Sequence, residues 1–217
     1  MSSFNSYDER MDFFTGKVTL YPVVSSEFCA GRNVLEVIRQ IGMGGAGIFQ
    51  LREKHCSAKE LYLLAQEARK IADEFNMLFI LDDHVDIALA AGADGVHLGQ
   101  DDLPVAAARS IAPELIVGAS THNIPEAIEA CRQHCSYLNI GPIYPTQTKS
   151  VACGALGLGA IKEISAHINC PFTVMGGIKA HCIAELRQNG AQRIAMVTEI
   201  TQAADIAGKV RDLLQLF

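Results

Sequence analysis

The chain repeats one pattern eight times, a short apolar run followed by a longer helical segment, and few folds can absorb that. Runs rich in β-formers alternating with helical stretches, with Gly, Pro, Asn and Asp at the joints, predict βα units and a parallel sheet. The strand candidates are residues 17–24, 47–52, 77–82, 95–98, 115–120, 137–140, 171–176 and 193–198. Several are almost continuously apolar (LIVGAS, RIAMV), as strands covered on both faces are. Helices are expected over 33–41, 57–75, 85–91, 104–111, 124–134, 160–167, 180–189 and 203–214. The clearest is 57–75, where Leu61, Leu64, Ala65, Ala68, Ile71, Ala72 and Phe75 recur at helical spacing. Ser57 followed by Glu60 resembles a capping box at its start. The expected fold is a single (β/α)8 TIM barrel, with residues 1–16 as an N-terminal extension packed across its lower end and 17–217 as the catalytic domain. An open doubly wound sheet is the alternative.

A length of 217 residues suits one such barrel. A net charge of −6 without a basic run argues against a nucleic-acid surface. No apolar stretch reaches the roughly 18 residues of a membrane span, and the N-terminus lacks an apolar signal core, so a soluble cytoplasmic protein is expected. The cysteines number seven, an odd and scattered set that reads as reduced thiols. Cys131 and Cys135 have a gap that suits zinc, but they lie on a predicted helix with no matching second pair, and are read as small buried or surface thiols. Gly44-Gly45-Ala46-Gly47, Gly92-Ala93-Asp94 and Asn189-Gly190-Ala191 fall where helices end, and are read as structural turns at the barrel's lower face.

In a barrel of this kind, chemistry sits at the carboxyl ends of the strands. Those ends carry Gln50-Leu51-Arg52-Glu53-Lys54, Asp82-Asp83, Asp101-Asp102, Ser120-Thr121-His122, Thr146-Gln147-Thr148-Lys149, Gly176-Gly177 and Val197-Thr198. Arg52, Lys54 and Lys149 suit a strongly anionic group, Arg as a planar fork and Lys as a point charge. Asp83 and Asp102, from neighbouring strand ends, could share one magnesium ion, which takes few carboxylates together with phosphate oxygens and water. Gly176-Gly177 and Val197-Thr198 suggest a second, simpler phosphate site. Each group also has a plainer reading: surface ion pairs for Arg52, Glu53 and Lys54, helix caps for the aspartates, a hydrogen-bonded core residue for His97.

Four segments resemble the signature of the thiamine-phosphate synthase family: Gln50-Leu-Arg-Glu-Lys54, Ala93-Asp-Gly-Val-His-Leu-Gly-Gln-Asp-Asp102, Gly141-Pro-Ile-Tyr-Pro-Thr-Gln-Thr-Lys149 and Gly176-Gly-Ile178. The resemblance runs from about residue 18 to residue 200. It implies a Mg2+-dependent transferase that joins hydroxymethylpyrimidine diphosphate to a thiazole phosphate and releases diphosphate. It further implies that Gln50, Arg52, Glu53, Lys54, Asp82, Ser120 and Lys149 hold the pyrimidine diphosphate, with Arg52, Lys54 and Lys149 catalytic. Asp83 and Asp102 would bind the metal, and Thr146, Thr148, Gly177, Val197 and Thr198 the thiazole phosphate. Asp82 is a departure, because the family usually has Asn there, and an ionised Asp accepts hydrogen bonds but cannot donate them. A thiazole tautomerase-like isomerase and a non-catalytic barrel that binds a thiamine precursor are the alternatives. The stretch 147–158, with Gly154 and Gly157, is a candidate for a loop that closes over the substrates.

Overall fold

Alternation of side chains along each strand sorts the apolar residues into two layers. In a computed structural model describing residues 4–146, 148 and 154–217, the strands are β1 (Leu20–Val24), β2 (Ile48–Leu51), β3 (Leu78–Asp82), β4 (Gly95–Leu98), β5 (Ile116–Thr121), β6 (Tyr137–Ile140), β7 (Phe172–Val174) and β8 (Ile194–Met196). Every neighbouring pair is parallel, and β1 returns to β8 with Leu20 opposite Ile194, so the sheet closes on itself as a TIM barrel. Closure excludes the open sheet. Tyr21, Val23, Ile48, Leu78, Ile80, Ile116, Tyr137 and Ala195 point into the barrel and form one cluster. Their strand neighbours Leu20, Val24, Phe49, Leu51, Phe79, Leu81, Val96 and Leu138 point outward and pack beneath the helices.

Those helices are α2 (Val34–Met43), α3 (Ala58–Phe75), α4 (Val85–Ala91), α5 (Val105–Ile111), α6 (Ile124–Arg132), α7 (Gly159–Ser165), α8 (Ile183–Gln188), α9 (Thr198–Thr201) and α10 (Ile206–Leu214), preceded by α1 (Tyr7–Lys17). The capping box on α3 is present: Ser57 N–H donates to Glu60 Oε2 at 2.8 Å, and Glu60 N–H to Ser57 Oγ at 3.3 Å. None of the helices among the described residues is long and apolar enough to cross a membrane.

Three of the boundary shifts change how elements are joined. The first strand begins at Leu20 rather than residue 17, because α1 runs through Lys17. The last strand ends at Met196, so Thr198 opens a short helix, and the final helix starts only after Asp205, whose Oδ1 accepts from Gly208 N–H at 2.8 Å. Residues 180–189 divide into a 3₁₀ turn, Ala180–Cys182, and α8.

Helix α1 covers the barrel end where the strands begin. Phe14 is fully buried and its ring lies 4.8 Å from that of Tyr137. Arg193 fixes the helix from below, donating to the carbonyls of Phe14 at 3.0 Å and Thr15 at 2.6 Å. Beside it, the wholly buried Asp94 carboxylate receives Arg69 at 2.6 Å, Arg10 at 3.3 Å and the Phe79 N–H at 2.8 Å. This shields the charge that a buried carboxylate could not carry alone. The Gly-Ala-Asp phrase is therefore structural, with Gly92 in the left-handed conformation that ends α4.

Candidate active site

The inward parity that fills the barrel continues at its upper end with polar residues. Gln50, Asp82, His97, Ser120, Asn139, Met175 and Val197 line an open cleft. Strand register sets them side by side: Asp82 is opposite His97, and Ser120 is opposite Asn139. His97 Nε2 lies 3.0 Å from Ser120 Oγ, and its Nδ1 lies 2.9 Å from the Tyr137 hydroxyl, itself 2.8 Å from the Tyr21 hydroxyl. Burial pushes both tyrosine pKa values up, so these hydroxyls stay neutral and can relay hydrogen bonds through the core. Gly118 makes room for the chain, because a Cβ there would meet the Tyr137 ring and come within 2.6 Å of His97 Nδ1. His97 is thus the hydrogen-bonded core residue of the plainer reading, and also part of the cleft floor.

Above the floor the charges meet. Gln50 Nε2 donates to Asp82 Oδ1 at 2.8 Å, while Asp82 Oδ2 lies 3.1 Å from Lys54 Nζ and 3.5 Å from Arg52 Nε. Lys54 also pairs with Asp83. Burial alone would lower the Lys54 pKa, but the carboxylates of Asp82 and Asp83 outweigh it and hold the ammonium above its ordinary value. Asp83 has φ +63°, a left-handed backbone that is uncommon outside glycine and frequent at functional positions. On the facing loop, Asp102 Oδ2 accepts from Gly99 N–H at 2.6 Å. Burial, and next the approach of Asp83, raise the Asp102 pKa against that hydrogen bond. The carboxylates of Asp83 and Asp102 converge there and form an oxygen-donor pair suited to a divalent cation.

A second, smaller chamber adjoins the cleft and is lined by Gly177, Lys179 and Thr198. Thr146, Thr148, Gly176 and Val197 border both spaces. The Thr146 and Thr148 hydroxyls lie 3.0 Å apart. Gly176 and Gly177 have φ +100° and +64°, and a Cβ on Gly177 would come within 2.9 Å of Tyr144 Cβ. The loop after β7 therefore packs directly on the loop after β6, and only glycine fits.

Of the residues singled out from sequence, Gln50, Arg52, Lys54, Asp82, Asp83, Asp102, Ser120, Thr146, Thr148 and Val197 line the cleft. Gly177 and Thr198 line the chamber beside it. Glu53 lines neither; its carboxylate accepts from Ser26 N–H at 2.6 Å and Ser26 Oγ at 2.8 Å, bracing the loop after β1. Lys149 and half of the 147–158 stretch lie outside the described residues. His122 reaches the cleft with Nδ1 2.8 Å from Glu126 Oε2. Asn139, Met175 and Lys179 were not anticipated. Counting alternate positions back from the strand ends would have found Asn139 and Met175, since both share the parity of the inward-facing core.

Fold and rim together define a (β/α)8-barrel protein with a mixed cationic and acidic ligand site at the carboxyl ends of its strands. The profile of the thiamine monophosphate synthase family matches residues 20–200, and the chain belongs to that family. It is 40% identical over 196 residues to the thiamine-phosphate synthase of Shouchella clausii, covering 90% of this chain and 94% of that one. It is 41% identical over 195 residues to that of Pelotomaculum thermopropionicum, covering 89% of each. Among solved structures, the thiamine phosphate pyrophosphorylase of Pyrococcus furiosus superposes with a TM-score of 0.85 at 32% identity, covering 92% of this chain and 95% of the other. A 3-hexulose-6-phosphate synthase, at 18% identity and a TM-score of 0.64, shares the fold alone.

Proposed function

We propose that the protein is a thiamine-phosphate synthase that couples hydroxymethylpyrimidine diphosphate to a thiazole phosphate, with Mg2+ and with release of diphosphate. The observation that carries this reading is the meeting of Arg52, Lys54, Asp83 and Asp102 around one mouth, next to a glycine-walled chamber. Asp83 and Asp102 would hold the ion, their mutual approach fitting a cation between them. When bound, Mg2+ supplies charge neutralisation for the diphosphate.

The rest falls to the chain. Arg52 and Lys54, joined by Lys149 from the family motif, bind the diphosphate and stabilise the negative charge that grows as the carbon–oxygen bond breaks and its electron pair leaves with the diphosphate. The electron-poor methylene of the pyrimidine then takes the lone pair of the thiazole ring nitrogen, forming the new carbon–nitrogen bond. Gln50, Ser120 and Asn139 orient the pyrimidine, while Thr146, Thr148, Gly177, Val197 and Thr198 hold the thiazole phosphate. The loops after the last two strands are where barrels frequently bind phosphate. Among the described residues no cysteine lines the cleft, which agrees with a displacement that uses no protein nucleophile. Positioning and electrostatics supply the rate.

The test is a steady-state assay with both substrates and Mg2+. Diphosphate and thiamine phosphate should appear in equal amounts. Isomerisation of a thiazole carboxylate phosphate with no diphosphate released would replace this reading with the tautomerase one. Asp82 favours one further alternative, a binding barrel without turnover, because its carboxylate already occupies Arg52 and Lys54. Calorimetric binding without product on long incubation would establish it.

A further inference from the structure

The closed end of the barrel gathers three thiols from two separate stretches of chain. Cys131 lies in the last turns of α6, Cys135 just ahead of β6, and Cys170 in the loop that enters β7. The spacing of the first two had no partner in sequence; the fold supplies it. Cys170 Sγ is 2.8 Å from Cys131 Sγ and 3.9 Å from Cys135 Sγ, and the sulfurs all lie within 4.8 Å of one another. Cys135 reaches the group because His134 takes a left-handed backbone, φ +62°, that turns the chain back under the helix, with Cys135 N–H donating to Ala130 O at 3.1 Å. Cys135 is buried, while Cys131 and Cys170 are half-buried, so the group is reachable from solvent at one edge.

We propose that Cys131, Cys135 and Cys170 form a binding site for a thiophilic d10 cation, zinc(II) or copper(I), unconnected with the cleft at the other end of the barrel. The donor set decides the class of ion. Among the described residues the cluster holds three sulfurs and no imidazole or carboxylate, a soft environment that disfavours magnesium and calcium and selects zinc or copper(I). Sulfurs sharing one tetrahedral zinc, each about 2.3 Å from it, stand about 3.8 Å apart. The Cys135–Cys170 separation already fits, and the Cys131–Cys170 contact has to open by about 1 Å to receive the ion. A disulfide between Cys131 and Cys170 is the competing fate, but it leaves the third thiol without a role. Three protein ligands leave one position for water or a small thiol when the ion is zinc. Burial, followed by the neighbouring Cys170, pushes the Cys131 thiol up to about 11, and the contact with Cys135 followed by burial raises Cys170. Cys131 and Cys170 are therefore protonated without metal, and a thiol that binds the ion releases its proton. An ion here would tie α6 to the starts of β6 and β7.

The experiment is a cadmium(II) titration of the fully reduced, full-length protein, followed by thiolate-to-metal charge-transfer absorbance in the near ultraviolet. The carboxylates of the cleft cannot give that band. It should saturate at one ion per chain, be lost in Cys131→Ser, Cys135→Ser and Cys170→Ser, and persist in Cys56→Ser. In the unmodified protein, zinc(II) should shield these three thiols from iodoacetamide, as mapped by peptide mass spectrometry, which covers the case of a serine variant that does not fold. Absence of the band overturns the proposal. So does a band indifferent to these three residues, or a Cys131–Cys170 disulfide in oxidised protein with no metal uptake by the reduced form.

Discussion

The Lys54 ammonium lies 3.1 Å from the Asp82 carboxylate, so the cation expected to receive an anionic substrate is already partnered. Arg52 is drawn to the same carboxylate at 3.5 Å. Substrate must therefore compete with Asp82 for both groups. Asp82→Asn keeps an oxygen to accept from Gln50, removes the competing charge and adds a donor. A hydrogen bond to a charged group contributes about 1.5–3 kcal/mol, so the KM for the pyrimidine diphosphate should fall roughly tenfold. Steady-state kinetics at saturating thiazole phosphate reads this directly; an unchanged or higher KM means Asp82 is not restraining the cations.

Removing Lys54 works in the other direction. Lys54→Ala leaves Asp82 and Asp83 facing each other without their shared counter-charge and takes one cation from the anion site. A drop in kcat/KM of about 100-fold is expected, about 2.7 kcal/mol of lost transition-state stabilisation. Circular dichroism should show the fold intact. Wild-type turnover would place the diphosphate elsewhere.

Asp102→Ala should raise the Mg2+ concentration needed for half-maximal rate, since one of the two converging carboxylates is lost. A magnesium titration checks it. An unchanged requirement would remove Asp102 from the ion's ligands.

Gly177→Ala places a Cβ against Tyr144 in a backbone with φ +64°. The left-handed conformation costs an alanine about 1–2 kcal/mol, and the contact adds to it. The variant should show a raised KM for the thiazole phosphate with the pyrimidine KM nearly unchanged. Equal effects on both would mean the chamber is not the thiazole phosphate site.

At the opposite end, Arg69→Met takes the 2.6 Å ion pair from the fully buried Asp94 and leaves it the longer contact to Arg10 and the Phe79 N–H. Breaking such a pair costs about 3–5 kcal/mol. Thermal unfolding should shift down by roughly 10 °C, at about 2–4 °C per kcal/mol for a chain of this size. Activity per folded molecule should hold. A shift of only a degree or two would show that Arg10 suffices.

The barrel was legible because eight apolar runs and their helices leave few other closures, and the charged rim because acids and bases recur at strand ends. Three things were not. Residues 1–16 read as a segment packed across the barrel's lower end, but nothing in them reports the helix α1 or the contact of Phe14 with Tyr137, more than a hundred positions away in the chain. Glu53 sits within a motif of site residues, yet its side chain follows Ser26, a contact no spacing rule reports. The third thiol is invisible beside Cys131 and Cys135 because Cys170 reaches them only through the pairing of β6 with β7.

The tyrosine–histidine–serine relay has a mechanical meaning for the N-terminus. Phe14 rests on Tyr137, Tyr137 steadies His97, and His97 steadies Ser120, so a helix that touches no ligand sets the floor on which one would lie. Deleting the first seventeen residues would loosen that floor from underneath, and the damage would register as slower turnover at the far mouth as well as a lower melting point.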